Sequence, residues 1–133
     1  MREDVSDGKQ DVVSARAPEP VGAFPHAKRV GDFLFLSGIG PRSRGTKEIP
    51  EGIEAQTLAV FRNVRTVLED AGASWDDIVD VTVFLTNIKA DFLTYNRIYA
   101  EYFAENRPCR TTVEINSLPT PIAIELKVIA TIP

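Results

Sequence analysis

Two strand-like runs near the C-terminus, residues 107–115 and 121–130, constrain this chain most, because residue alternation along each fixes which side chains share a sheet face. Asn116-Ser117-Leu118-Pro119-Thr120 joins them. Arg110 opens the first run, and Glu125 follows fifteen residues later inside the second. If the runs fold back on one another, a guanidinium and a carboxylate come within reach of one small ligand. The guanidinium is a rigid, permanently charged fork that matches a carboxylate bidentately. A carboxylate beside it holds a water or moves a proton. The same residues also suit an ion pair on a sheet, so residue types alone leave both readings open.

A length of 133 residues is that of one ordinary domain, enough to bury a core without disulfides or metal. With 44% apolar and 26% charged residues the composition is globular, and a net charge of -4 gives no help to a phosphate backbone. The apolar runs are too short to span a bilayer, and the acidic N-terminus lacks the apolar centre of a signal peptide. These features lead to the expectation of a cytoplasmic protein that binds neither nucleic acid nor membrane. The single Cys109 and single His26 make no zinc-ligand set, and Pro108-Cys109 has no second Cys after it as zinc deaminases require. The expectation is chemistry without metal or cofactor.

Residues 1–20 mix acidic, basic, Ser and Pro residues without apolar period, which predicts a flexible tail ahead of one domain over 21–133. Gly31-Asp32 between two extended runs signals a hairpin, and Phe33-Leu34-Phe35-Leu36 is apolar on both faces, as in a strand covered on both sides. Residues 39–52 form a loop that carries Arg42, Arg44 and Lys47, in the manner of either a solvated loop or a ligand-contacting one. Phe61, Val64, Leu68 and Ala71 recur at helical spacing over residues 53–71, and Gly72 ends that helix. Ser74 and Asp77 predict a capped turn. Residues 80–86 alternate as a strand, with Val81, Val83 and Leu85 on one face. A second helix is predicted over 91–105, with Phe92, Tyr95, Tyr99, Tyr102 and Phe103 as its core stripe and Asn96 at the edge. The predicted order is strand, strand, helix, strand, helix, strand, strand. It describes a two-layer α+β domain with both helices on one face of the sheet and an open face that invites oligomerisation.

Pro108-Cys109-Arg110, Val113, Leu118-Pro119 and Ile124-Glu125 resemble the C-terminal signature of the RidA/YjgF reactive-intermediate deaminases. Phe35-Leu36-Ser37-Gly38, Asn63-Val64, Ala71-Gly72, Val83-Phe84-Leu85 and Tyr95-Asn96 extend the resemblance over residues 22–132. It implies a chorismate-mutase-like fold, a homotrimer whose sheets form a central barrel, clefts between subunits, and hydrolysis of an enamine or imine acid to a keto acid and ammonia. It further implies that Arg110 holds the substrate carboxylate, that Glu125 positions water or relays a proton, and that Phe24, His26, Ser37, Gly38, Asn96 and Thr112 contact substrate. Phe24 and Lys127 stand where many members have Tyr and Glu. With Cys109, Thr111 and the 40–50 loop, they are similar to the 2-aminomuconate deaminase branch. A dicarboxylate needs a second cation, for which Arg42 and Arg44 are the candidates, with His26 and Lys28 behind them. A general 2-aminoacrylate deaminase, a non-catalytic trimeric ligand-binding module and, by fold analogy alone, a chorismate-mutase-type isomerase are the other readings. Cys109 as nucleophile is the rival within enzymology, but strand alternation turns it away from Arg110.

Overall fold

The computed structural model describes residues 8–133. Six strands and two helices follow in the order β1 (Lys9–Val12), β2 (Ala27–Val30), β3 (Phe33–Leu36), α1 (Ile53–Asp70), β4 (Ile78–Leu85), α2 (Ile88–Tyr102), β5 (Cys109–Glu114) and β6 (Ile124–Thr131). They form one sheet in the order β1-β2-β3-β6-β4-β5. Among the described residues only β4 and β5 are parallel, and the helix α2 supplies the crossover that a parallel pair requires. No helix among the described residues is long and apolar enough to cross a membrane.

Gly31 has φ 60 in the two-residue turn that pairs Val30 with Phe33, as the Gly-Asp signal predicts. At the end of α1, Gly72 takes φ 85, and the Ala73 amide donates back to the Leu68 carbonyl, satisfying acceptors the helix leaves open. The Ser74 amide donates to the Asp77 carboxylate at 2.8 Å, as expected of the capped turn. Helix α2 begins earlier than residue 91 because the Asn87 side chain accepts from the Ala90 amide, and Glu114 accepts from the Ile88 amide.

The core lies between the helices and one sheet face. Leu34, Leu36, Val81, Val83, Leu85, Ile124, Leu126 and Val128 are fully buried there against Val60, Phe61, Val64, Val67, Leu68 and Tyr95. Each large apolar side chain so buried contributes about 1.5–3 kcal/mol before the entropy of ordering is counted. The opposite face is only partly covered within one chain. Phe33 is 48% and Phe35 37% exposed, so the strand that reads as apolar on both faces has only one face buried here.

Two expectations need correction. The first concerns the tail: Lys9–Val12 pairs with β2, Ser14 and Ala17 are buried, and Arg16 bonds Asp70 at 2.6 Å. A four-residue polar edge strand held by backbone bonds has no apolar alternation to betray it. Residues 1–7 of the expected tail lie outside the described residues. The second concerns β5 and β6, which do not fold back on each other. Both pair with β4, which runs between them.

Candidate functional site

The insertion of β4 separates Arg110 from Glu125. Arg110 is in register with Val81, and Glu125 with Phe84. Val81 points into the core, whereas Phe84 is three residues on and belongs to the open face. The two side chains therefore leave opposite faces of the sheet, on strands about 9–10 Å apart.

Arg110 turns toward α2. Its Nη1 donates to Asn96 Oδ1 at 2.8 Å, and its guanidinium lies 4.6 Å from the Tyr99 ring centre and 5.8 Å from that of Phe92. Helical spacing explains the set, because Phe92, Asn96 and Tyr99 stand three or four residues apart on one face. A guanidinium has five N–H donors, and stacking on aromatic faces holds it without consuming them. Around it, the Tyr95, Tyr99 and Thr112 hydroxyls are buried without a hydrogen-bond partner. Burial pushes both phenols above their ordinary range, so they remain protonated donors. Thr112 lies two residues beyond Arg110 on the same face of β5. Cys109 is exposed and in register with Asp80, on the other face, as alternation requires.

Glu125 belongs to a different cavity. Four steps along the chain from Phe35 to Ile39 span three on β6, from Ile129 to Leu126, which makes a bulge at the end of β3. The bulge lays Gly38 over Glu125, so that a Cβ at position 38 would collide with the carboxylate. Lys127 Nζ donates to the Leu36 carbonyl at the same irregularity. Burial raises the Glu125 carboxyl above its ordinary value and lowers the Lys127 ammonium. Phe24, His26, Ser37, Gly38, Arg42 and Glu125 all line one open cavity of about 80 Å³, closed by residues 18–21 and by Pro119, Thr120 and Ile122.

Several of the polar groups around this cavity are already engaged. His26 is 4% exposed; its Nδ1 accepts from the Ser14 amide at 3.0 Å, and Nε2 lies 2.8 Å from the Pro18 carbonyl. One neutral tautomer, with the proton on Nε2, satisfies both contacts and makes the ring a peg for the N-terminal segment. The Ser37 hydroxyl donates to the Pro25 carbonyl at 2.6 Å. Arg42 donates to the Glu19 carboxylate at 3.1 Å and to its carbonyl at 2.6 Å. Arg44 is outside the cavity and donates to the Ala17 carbonyl at 2.8 Å, while Lys28 pairs with Asp11 at 3.2 Å.

Residues missed in the sequence fix the shape of this region. Asn63 donates to the Gly40 and Arg42 carbonyls, and Gln56 ties the Pro50 carbonyl to the Ala123 amide just before Glu125. Their signal is a polar side chain on the buried stripe of α1, where Gln56 is 7% and Asn63 5% exposed. Glu19 carried no such signal. Its carboxyl is held down to about 2 by its own and the Gly45 backbone amides and then by Arg42.

Known proteins share this chain's sequence pattern and fold. The family model described as Endoribonuclease L-PSP matches residues 14–132. A RutC family protein of Pyrococcus abyssi is 42% identical over 123 residues, covering 92% of this chain and 96% of that protein. Reactive Intermediate Deaminase A, a chloroplastic protein of Arabidopsis thaliana, is 36% identical over 129 residues, covering 96% of this chain and 68% of that protein. The crystal structure of E. coli TdcF with bound serine superposes with a TM-score of 0.86 at 31% identity, over 93% of this chain and 99% of that one. The mixed sheet with two helices is the architecture of these neighbours, as the α+β expectation requires.

Proposed function

This chain belongs to the endoribonuclease L-PSP family, which embraces the RutC and reactive-intermediate deaminase proteins, and from that premise we propose that it hydrolyses small enamine or imine acids to keto acids and ammonia. The observation that carries this reading is the pair of half-sites: a guanidinium with spare donors among unpartnered hydroxyls, and a carboxyl raised by burial beside a glycine. Because the halves leave opposite sheet faces, one catalytic site takes Arg110 from one chain and Glu125 from a neighbouring copy. A homotrimer closed through the open sheet face, where Phe33 and Phe35 are uncovered, brings them together.

Arg110 binds the substrate carboxylate bidentately and so orients the adjacent carbon. Protonation of the enamine carbon gives the imine. Glu125 relays that proton, then holds a water against the imine carbon and takes its proton as the C–O bond forms. Glu125 returns that proton to the nitrogen, and as the carbinolamine hydroxyl loses its own proton the C–N bond breaks, ammonia leaves and the carbonyl remains. The substrate is already reactive, so orientation and proton relay suffice without metal or covalent nucleophile.

The finer reading, 2-aminomuconate, requires a free cation for the second carboxylate. Arg42 is paired with Glu19 and Arg44 with backbone carbonyls, so the geometry favours the general 2-aminoacrylate type of substrate. A ligand-binding module is the second reading, favoured by the serine held in TdcF. The name endoribonuclease finds little support in a chain of net charge -4, since RNA binding draws on clustered cations. The deciding experiment is ammonia release from 2-aminoacrylate generated in situ, with and without the protein. Acceleration supports the deaminase. Binding without acceleration leaves the module.

A further inference from the structure

A second cavity, of about 350 Å³, adjoins the one that holds Glu125. The two share Glu19, Pro20, Val21, Arg42 and Thr120 as walls, so the Glu19–Arg42 ion pair borders both. Beyond it, Ile49 and Pro121 continue an aliphatic lining, and Lys47 is the further cation. A substrate whose reacting carbon faces Glu125 would send any longer side chain past this pair.

What such a chain meets is set by how Arg42 is satisfied. Its guanidinium donates to the Glu19 carboxylate and carbonyl, and to the Thr46 carbonyl at 3.0 Å. Glu19 in turn accepts from the Gly45 amide through both carboxylate oxygens at 3.2 Å. The latch is therefore charge-neutral and tied to the backbone on both sides. An incoming carboxylate meets a guanidinium whose Nη1 and Nη2 are already engaged and whose charge Glu19 offsets, and it faces the like charge of Glu19 itself. Lys47 and Glu19 are both exposed and screened by water, so the attraction of the one offsets the repulsion of the other and the occupied Arg42 decides. A neutral alkyl chain meets none of these costs and buries itself against Pro20, Val21, Ile49 and Pro121.

We infer that Glu19 is a specificity-determining residue: by occupying Arg42 it excludes substrates with a distal carboxylate and reserves the second cavity for the apolar chains of monocarboxylate imine acids. The inference rests on the deaminase reading above and says which members of that substrate class the site accepts.

A matched pair of six-carbon imines tests it: 2-iminohexanoate from norleucine and 2-iminoadipate from 2-aminoadipate, each generated in situ by an amino-acid oxidase, with 2-aminoacrylate as the reference substrate. The wild-type protein is expected to favour the hexanoate imine by about tenfold or more in kcat/KM. Glu19→Gln keeps an acceptor for the Gly45 amide while freeing Arg42, and is expected to raise the adipate-to-hexanoate ratio about tenfold, mainly through KM. The double variant Glu19→Gln/Arg42→Gln is expected to lose that gain. Equal handling of the two imines by the wild-type protein overturns the inference without need of any variant. So does an unchanged ratio in a Glu19→Gln protein that melts like the wild type. Absence of turnover on 2-aminoacrylate removes the deaminase reading and this inference with it, whereas turnover of 2-aminoacrylate with no discrimination removes this inference alone.

Discussion

The Glu125 carboxylate rests against the backbone of Gly38, in the space that the first carbon of any side chain there would occupy. Position 38 owes this approach to the bulge between Phe35 and Ile39, which slips β3 by one residue against β6. Glycine here leaves room for a proposed catalytic group to rest against the backbone. Burial of Glu125 and the missing side chain at 38 are two aspects of one arrangement.

Gly38→Ala follows directly. The added carbon forces the carboxylate aside, at little cost in stability because the colliding atoms are the far end of a flexible side chain, and the displaced Glu125 no longer aligns water. We expect kcat to fall about a hundredfold with the chain still folded. An alanine variant with wild-type kcat shows that the carboxylate has slack and that its close approach to Gly38 is irrelevant to rate.

Glu125→Gln separates stability from chemistry. Burial raises this carboxyl in the folded state above its ordinary value of 4.5, so the folded protein holds the proton more tightly than the unfolded chain. The stability this group contributes is fully present below the ordinary value and is lost as pH rises through the folded one. As pH rises from the ordinary value of 4.5 through the higher folded one, the wild-type protein should lose stability relative to Glu125→Gln, which has no such titration. Parallel stability curves over that range place the carboxyl in water. The same variant should bind a substrate analogue nearly as well as wild type and lose rate.

Arg110→Ala is expected to abolish deamination, because the bidentate contact both binds and orients the substrate. Arg110→Lys should rescue little, since an ammonium is a point charge without the fork. Tyr99→Leu is the subtler test. Its ring lies 4.6 Å from the guanidinium, a contact worth about 1 kcal/mol, so KM should rise about fivefold, and Tyr99→Phe should restore most of it. If phenylalanine fails where tyrosine works, the unpartnered hydroxyl is what matters and the stacking is incidental.

Which of these features the sequence displays depends on whether their cause is local. Helix α1, β4 and the Gly31-Asp32 hairpin are legible because period and turn chemistry belong to neighbouring residues. Arg110 and Glu125 stand out by residue type and by family resemblance. Their placement on opposite faces is invisible, because it depends on β4, some thirty residues upstream of β5, threading between the two runs. Strand β1 is hidden for want of apolar alternation in Lys-Gln-Asp-Val. Arg42 and Arg44 read alike as loop cations, yet Glu19 turns one into a latch and the Ala17 carbonyl makes the other a strut. Both partners lie in a stretch whose composition resembles a tail.

The opposite-face geometry makes its own prediction about assembly. If each site combines Arg110 of one copy with Glu125 of the next, then Arg110→Ala and Glu125→Gln chains are each inactive alone. Unfolded together and refolded at equal amounts, they should form mixed trimers in which roughly one interface in four joins an intact Arg110 to an intact Glu125. Ammonia release from 2-aminoacrylate should return to roughly a quarter of the wild-type rate, and light scattering should show a trimeric mass before and after mixing. A site contained within one chain gives no recovery at any ratio, because no chain in the mixture carries both groups. A monomeric mass at micromolar concentration removes the shared interface altogether and leaves Arg110 and Glu125 in separate roles.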